Sequence, residues 1–303
     1  MIVIKVMGGL GNQLQQYALY DKMKTLHPDT EVRLDLAWFK SGVQKKMAAP
    51  RQLELTRFSG IYLESCNNAE RERFLGGGRA LRKFRDFFGV APVFRESEMY
   101  HPEILGYTDV YIEGYFACEK YYADRLPELA KKLVFPAASD QETAVLNTDL
   151  ENEMEERSSV SIHVRRGDYL DSNNAGLFSG IATDEYYERA IAICIARDPR
   201  SHFYVFSDDP EYVRKKYPNR DRFTVVDVNR GRDNMLDMKL MSRCRVNICA
   251  NSTFSFWGAR LNTHPDKIMI RPLSMRNNQE AVPAVMHDLW KDWVLIDRDG
   301  TVV

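Results

Sequence analysis

From residue 160 onward the chain alternates between short apolar runs and helical stretches, and that alternation leaves few folds open. "VSIHV" is followed by "DEYYERAIAICIARDP", "HFYVFSDD" by "PEYVRKKYP", "FTVVDV" by "NMLDMKLMSRC" and "VNICAN" by "SFWGARLN". "KIMIRP" and a closing element, "HDLWKDWVLID", end the series. Strands separated by helices pair in parallel through right-handed crossovers, so a doubly wound α/β domain is expected. A similar series opens the chain, with strand "MIVIKVM", turn "GGLG", a helix starting near Asn12 and strand "EVRLDL". "DVYIEGYF" reads as a further strand, and "EKYYADRLPELAKKLVF" as a helix ending at Pro136.

Between the two series lies the polar, acidic stretch "PAASDQETAVLNTDLENEMEERSS". The expected organisation is therefore two doubly wound domains, 1–140 and 141–303, facing a cleft. The C-terminal closing element has the option of packing back on the first domain. Residues 40–115 are less regular, and "GGGRALRKFRDFFGV" within them reads as a solvated helix with an aromatic inner face.

The chain has 303 residues, 44% hydrophobic and 28% charged, enough for two cores. Its 42 basic and 43 acidic side chains give a formal net charge of −1, which points neither to nucleic acid nor to an anionic membrane. No run approaches the roughly 20 apolar residues of a membrane span. The N-terminus reads straight into a strand and lacks a signal-peptide pattern. A cytoplasmic protein is expected, with the inner face of the membrane as an alternative station. Cys66, Cys118, Cys194, Cys244 and Cys249 are scattered, odd in number and without metal-site spacing, so buried thiols are expected.

In doubly wound sheets, ligands bind beyond the C-terminal ends of the strands. That rule selects "GGLGNQ", "RRGDY", "SDDP" and "NSTFS". In the first, Gly8, Gly9 and Gly11 allow unusual backbone conformations and close approach of a phosphate or sugar. The glycines serve a cofactor phosphate, a plain tight turn or another ligand, and the amides of Asn12 and Gln13 exceed what a dinucleotide fingerprint requires. Asp35, ending "EVRLDL", resembles a ribose-binding acid, which makes a nicotinamide-dependent oxidoreductase the first rival reading.

The pair Arg165 and Arg166 closes a strand in which Val160, Ile162 and Val164 alternate with polar residues, as in a half-buried strand. Arginine grips phosphate oxygens through a planar fork and stays charged at working pH. A diphosphate leaving group gains charge as its bond to a sugar breaks, so a fixed guanidinium there favours the transition state. The plainer reading ties Arg166 to Asp168 as a loop brace. His163 shares a strand face with Arg165, as a nucleotide contact or a satisfied core histidine. One of Asp208 and Asp209 caps the helix begun by Pro210; the other is open to a base or ribose. Asn251, Ser252, Thr253 and Ser255 lead into a helix whose start suits a diphosphate, with Phe254 placed to pack a base or the helix itself.

Together "GGLGNQLQQYA", "HVRRGDY" and "NSTFSFWGA" resemble the α-1,2-fucosyltransferases, including bacterial members without a membrane anchor. The resemblance spans most of the chain. It implies a two-domain B-type glycosyltransferase fold, with an acceptor-side first domain and a nucleotide-sugar-binding second one. It further implies GDP-L-fucose as donor, no metal, and inverting transfer to the 2-hydroxyl of a terminal β-galactoside, free or lipid-linked.

Residue by residue, the resemblance makes Arg165 the diphosphate ligand, with His163 beside the nucleotide. Asp208 or Asp209 then contacts guanine, as in the similar stretch of related α-1,6-fucosyltransferases. Asn251, Ser252, Thr253 and Phe254 form the phosphate-side wall. Gly9 and Gly11 face the sugar, with Asn12 near the reacting centre. "LQQYA" departs from the commoner "MFQYA" by placing Gln15 where an apolar residue is usual.

For the base that receives the acceptor proton, Asp168 has the chemistry unless it braces Arg166; Asn12 suits orienting or relaying. The acceptor site is expected within 40–115. A second rival, a non-catalytic carbohydrate-binding protein, has aromatics such as Tyr115, Tyr121 and Tyr122, but no use for a diphosphate clamp.

Overall fold

The computed structural model describes residues 1–42, 50–76, 93–97, 99–169 and 174–303. The helix expected from "GGGRALRKFRDFFGV" lies outside the described residues, apart from Gly76. The chain divides into two units, Met1–Val134 and Phe135–Val303. The division falls a few residues ahead of the 140/141 position suggested by the sequence.

The first unit runs β1 (Ile2–Lys5), α1 (Leu10–Leu26), β2 (Val32–Asp35), α2 (Asn68–Leu75), β3 (Val93–Arg95), β4 (Val110–Glu113) and α3 (Leu126–Lys132). Its sheet has the order β2-β1-β4-β3 with every pairing parallel. Ile2, Val3 and Ile4 of β1 are completely buried, as a central parallel strand requires. Residues 119–135 form two 3-10 turns before α3, not one continuous helix. Pro127 fits the first turn of a helix but not its interior, so the α-helix starts only at Leu126.

The second unit runs α4 (Gln141–Glu156), β5 (Ser159–Val164), α5 (Ala175–Phe178), α6 (Asp184–Arg197), β6 (His202–Ser207), α7 (Pro210–Lys216), β7 (Phe223–Val226) and α8 (Met235–Arg243). It continues through β8 (Val246–Ile248), α9 (Thr253–Arg260), β9 (Ile268–Pro272), α10 (Pro283–Leu289) and β10 (Trp293–Ile296). The acidic stretch thus contains a regular helix, α4. Asp140 caps it by accepting from the Thr143 N–H at 2.8 Å. The sheet order is β10-β9-β8-β5-β6-β7, all parallel, with the closing strand at one edge. The doubly wound parallel α/β architecture expected from the sequence is therefore present in this unit, and the first unit is likewise parallel α/β.

The half-buried reading of β5 is corrected. All six of its residues are buried, because Val160, Ile162 and Val164 pack beneath α6 while Ser159 on the opposite face meets α4. The alternate polar residues are carried inside by hydrogen bonds. Ser159 donates to the Met154 carbonyl at 2.6 Å, and Ser161 accepts from the Asn247 amide at 2.8 Å. All five cysteines are free thiols, four of them buried. Among the described residues, no helix is long and apolar enough to cross a membrane.

Helix α1 is buried along most of its length, including Gln13, Gln15 and Gln16. Gln13 and Gln16 are fully used by the backbone around them, but both amide atoms of Gln15 are buried without a hydrogen-bond partner. A buried polar group left unmade costs about 1–3 kcal/mol. Gln15→Met keeps the side-chain length and removes both atoms. It is expected to raise stability by about that amount, read as a higher denaturant midpoint at unchanged slope.

Candidate functional site

In the second sheet the chain builds outward from β5 in both directions: β6 and β7 to one side, β8, β9 and β10 to the other. The reversal leaves a crevice beyond the ends of β5 and β8, where doubly wound folds bind ligands. Val164 pairs with Ser207 and Ile162 with Ile248, so "RRGDY", "SDDP" and "NSTFS" leave the sheet side by side. Direct contacts confirm their convergence. The Tyr169 hydroxyl donates to the Asn251 carbonyl at 2.9 Å, and the His163 and Phe254 rings lie 5.9 Å apart. A separate cavity of about 810 Å³ opens at the opposite sheet edge, among the strand starts Ser159, His202 and Val246, away from these loops.

The two arginines divide between two carboxylates. Asp208 accepts the Arg166 backbone N–H at 2.9 Å through one oxygen and faces the Arg165 guanidinium at 3.1 Å through the other. A Cβ on Gly167 would stand 2.6 Å from the Asp208 carboxylate oxygen, so a larger residue there would displace that carboxylate from its present place. Asp209 caps α7 by accepting from the Tyr212 N–H, and it holds the Arg166 Nε at 3.3 Å. Arg166 also lies over the Tyr212 ring at 3.6 Å. Its anchors are therefore Asp209 and Tyr212, where the sequence suggested Asp168. The Asp168 side chain lies outside what the structure describes; its backbone belongs to the 3-10 turn Gly167–Tyr169.

This arrangement changes the reading of the paired aspartates. Both hold the arginine loop, Asp208 through its two oxygens and Asp209 through the oxygen that faces Arg166. The Asn251 amide nitrogen is engaged as well. It donates to the Phe178 and Met275 carbonyls at 3.1 and 3.2 Å, which makes Asn251 a brace for the crevice wall. Ser252 is the N-cap of α9 yet makes no side-chain capping bond, so the first-turn amides at Thr253 and Phe254 lack that cover. Ser255 donates back to the Ser252 carbonyl at 3.1 Å. The crevice thus brings together first-turn amides that lack a side-chain cap and the Arg165 guanidinium, donors of the kind a diphosphate accepts from.

His163 is buried and its Nδ1 has no partner. Burial, reinforced by the nearby Arg165 charge, pushes its pKa down to about 3, so the ring is neutral at working pH. The His163 contribution to stability is complete above the ordinary histidine pKa of 6.5. Below that value the unfolded chain binds a proton that the folded one refuses, so stability falls as pH drops toward 3. His163→Gln is expected to flatten this part of the stability–pH curve, measured by denaturant unfolding from neutral to acid pH.

In the first unit, the order β2-β1-β4 places the glycine loop after β1 at a similar reversal. Gly8 has φ of +82°, and a Cβ there would lie 2.6 Å from the Asn12 amide nitrogen. Gly9 is extended and serves as N-cap, with open space at its Cβ position. Helix α1 begins at Leu10 instead of near Asn12, so Gly11 is helical. Only Gly8 needs the left-handed region. Asn12 is half-buried, and its side chain makes no hydrogen bond among the described residues.

Gln13 brackets the loop. Its amide nitrogen donates to the Gly8 and Gln52 carbonyls at 3.0 and 2.8 Å, and its oxygen accepts from the Glu54 and Leu55 N–H groups at 2.8 and 3.3 Å. Gln16 links the Met7 N–H to the Gly114 carbonyl. Asp35 is corrected: its two oxygens accept from the Tyr111 hydroxyl at 2.7 Å and the Ala37 N–H at 2.9 Å. A ribose-binding acid needs those oxygens, so the nicotinamide reading loses its second support.

Two features of this unit had no motif to announce them. Phe116 carries a left-handed φ of 51°, held by Glu96, which accepts from the Tyr115 and Phe116 N–H groups at 2.8 and 2.7 Å. Glu54 lies at the glycine loop, facing the Leu10 N–H. Gly114 within "EGYF" was the one available sign of the first; nothing local marks the second. Among the described residues there is no cluster of metal-binding side chains.

The family model described as Glycosyl transferase family 11 matches residues 106–297. "O-antigen biosynthesis glycosyltransferase WbnK" of Escherichia coli is 29% identical, covering 88% of this chain and 91% of its own. An "Alpha-1,2-colitosyltransferase" of the same species is also 29% identical, covering 92% and 94%. "Galactoside alpha-(1,2)-fucosyltransferase 2" of Rattus norvegicus is 28% identical over 49% of this chain and 42% of its own. Among solved structures, fucosyltransferase NodZ from Bradyrhizobium aligns with a TM-score of 0.46 at 14% identity, covering 85% of this chain and 91% of that one.

Proposed function

The chain belongs to glycosyl transferase family 11, and on that premise we propose that it transfers L-fucose from GDP-L-fucose to the 2-hydroxyl of a terminal galactose. The product is an α-1,2-linked fucoside, formed by one inverting displacement. The observation carrying this reading is the convergence of Arg165 with the uncapped start of α9 at the strand-order reversal. The α-1,2 specificities in the names of two relatives support the linkage.

As the sugar–oxygen bond breaks, negative charge grows on the departing diphosphate. In this reading Arg165 and the first-turn amides of α9 neutralise it, a task that other enzymes give to a metal ion. Because Asp208 fixes the guanidinium before the donor arrives, little reorganisation is left for the transition state. A neutral His163 offers a hydrogen bond beside the nucleotide without adding a competing cation. The acceptor is a β-galactoside, free or on a lipid carrier at the membrane face.

A second donor is raised by the colitosyltransferase relative, since colitose is a deoxygenated counterpart of fucose. Incubation with GDP-fucose and the corresponding colitosyl donor, against a panel of β-galactosides, decides between them. Transfer of fucose at full rate in EDTA is expected. Arg165→Ala should lower turnover by roughly 10²–10³ with an unchanged unfolding midpoint. Near-wild-type turnover would remove Arg165 from the proposed role.

A further inference from the structure

We propose that Arg276 is a second guanidinium of the donor site, binding the nucleotide diphosphate from the side of the crevice opposite Arg165. The inference rests on the nucleotide-sugar reading above and deepens it. The sheet order β9-β8-β5 places the exit of β8 between the exits of β9 and β5. The β8 exit leads into the first-turn amides of α9, which lack a side-chain cap. Arg165 is the first residue past β5, and Arg276 lies in the loop that leaves β9. A group bound at those amides therefore has an arginine-bearing loop on each side.

The loop is held on both sides of Arg276. The Asn251 amide, just ahead of α9, ties the Met275 carbonyl to that of Phe178. The Asn277 N–H donates to the Leu177 carbonyl at 2.9 Å, and its side-chain amide to the Ser179 and Gly176 carbonyls at 2.9 and 3.3 Å. The backbone on either side of Arg276 is thus ordered before a ligand arrives, which lowers the cost of binding one. The half-buried Arg276 guanidinium lies 5.7 Å from the Phe178 ring centre. That ring stacks on Tyr169 at 4.9 Å with 19° between the planes, and the Arg165 guanidinium lies 5.7 Å from the Tyr169 ring centre. One stacked pair, tied to Asn251 through both of its members, therefore carries an arginine against each ring.

The charge balance of the crevice calls for such a group. Arg165 and Arg166 are matched by Asp208 and Asp209, so the charges of these two ion pairs cancel. A nucleoside diphosphate bears charge on both phosphate groups, and a guanidinium fork meets the oxygens of one of them at a time. Arg276 adds a second fork beyond the α9 amides. Contact with a ring does not consume the in-plane N–H donors of a guanidinium, so the aromatic pair supports both arginines without taking the donors that oxygens need.

The test titrates the full-length enzyme with GDP and, separately, with guanosine. Arg276→Gln should raise the GDP Kd by roughly 10–100-fold, the loss expected when charged hydrogen bonds are removed, and leave the guanosine Kd unchanged. Added salt should weaken GDP binding more steeply in the wild type than in this variant. Arg276→Lys keeps the charge without the fork, and its GDP Kd should fall between those of the wild type and Arg276→Gln. An unchanged GDP Kd in Arg276→Gln overturns the assignment. An equal loss for guanosine overturns it too, because the wall of the crevice is then what the substitution damaged. A wild type that binds GDP but transfers no fucose overturns the sugar reading alone, and the GDP titrations still decide Arg276. A wild type that binds no GDP overturns both.

Discussion

In the second unit, β5 has a neighbouring strand along each edge and helices over each face, and the rest of that unit is arranged around it. It pairs with β6 and β8, and the chain winds away from it in opposite directions. A strand so enclosed can open to solvent only at its ends. Its last residues therefore bear both an unpartnered buried histidine atom and two adjacent arginines. Burying Ser159 and Ser161 is tolerated because each has a hydrogen-bond partner, whereas a charge at either position would be severely desolvated. The sheet admits charge where the strand stops.

The arginine loop is then shaped by the neighbouring strand's exit. Asp208 joins a backbone N–H, a guanidinium and the close approach of Gly167, while Asp209 joins Arg166 to the first turn of α7. These are partly exposed ion pairs, and such pairs add little to global stability. Their effect is to select a direction for each guanidinium. Two carboxylates in series thus separate two chemically identical side chains into one that faces the crevice region and one that is stacked against a helix.

Much of the architecture was legible in the sequence. Parallel strands follow from the βα alternation, and the strand-end rule found three loops that do meet. Errors arose where one local pattern has two physical solutions. Alternating valine and serine describes a half-exposed strand equally well as a buried one with hydrogen-bonded serines, and only the neighbouring strand's Asn247 decides. Paired aspartates after a strand suggested one cap and one ligand, yet the second carboxylate serves a loop 42 residues earlier in the chain. Glu54 was invisible for a similar reason: its tie to the glycine loop spans 41 residues and runs through the side chain of Gln13.

The Gln13 bracket has a mechanical consequence. Four hydrogen bonds from one planar amide join the glycine loop to the segment 52–55, so the spacing between them is set by the size of that amide. Two elements packed merely side by side drift independently, and the gap between them accumulates both displacements. Here the displacements are shared. When thermal motion carries the loop, the backbone of 52–55 travels with it, and the spacing between the two is conserved even as both shift.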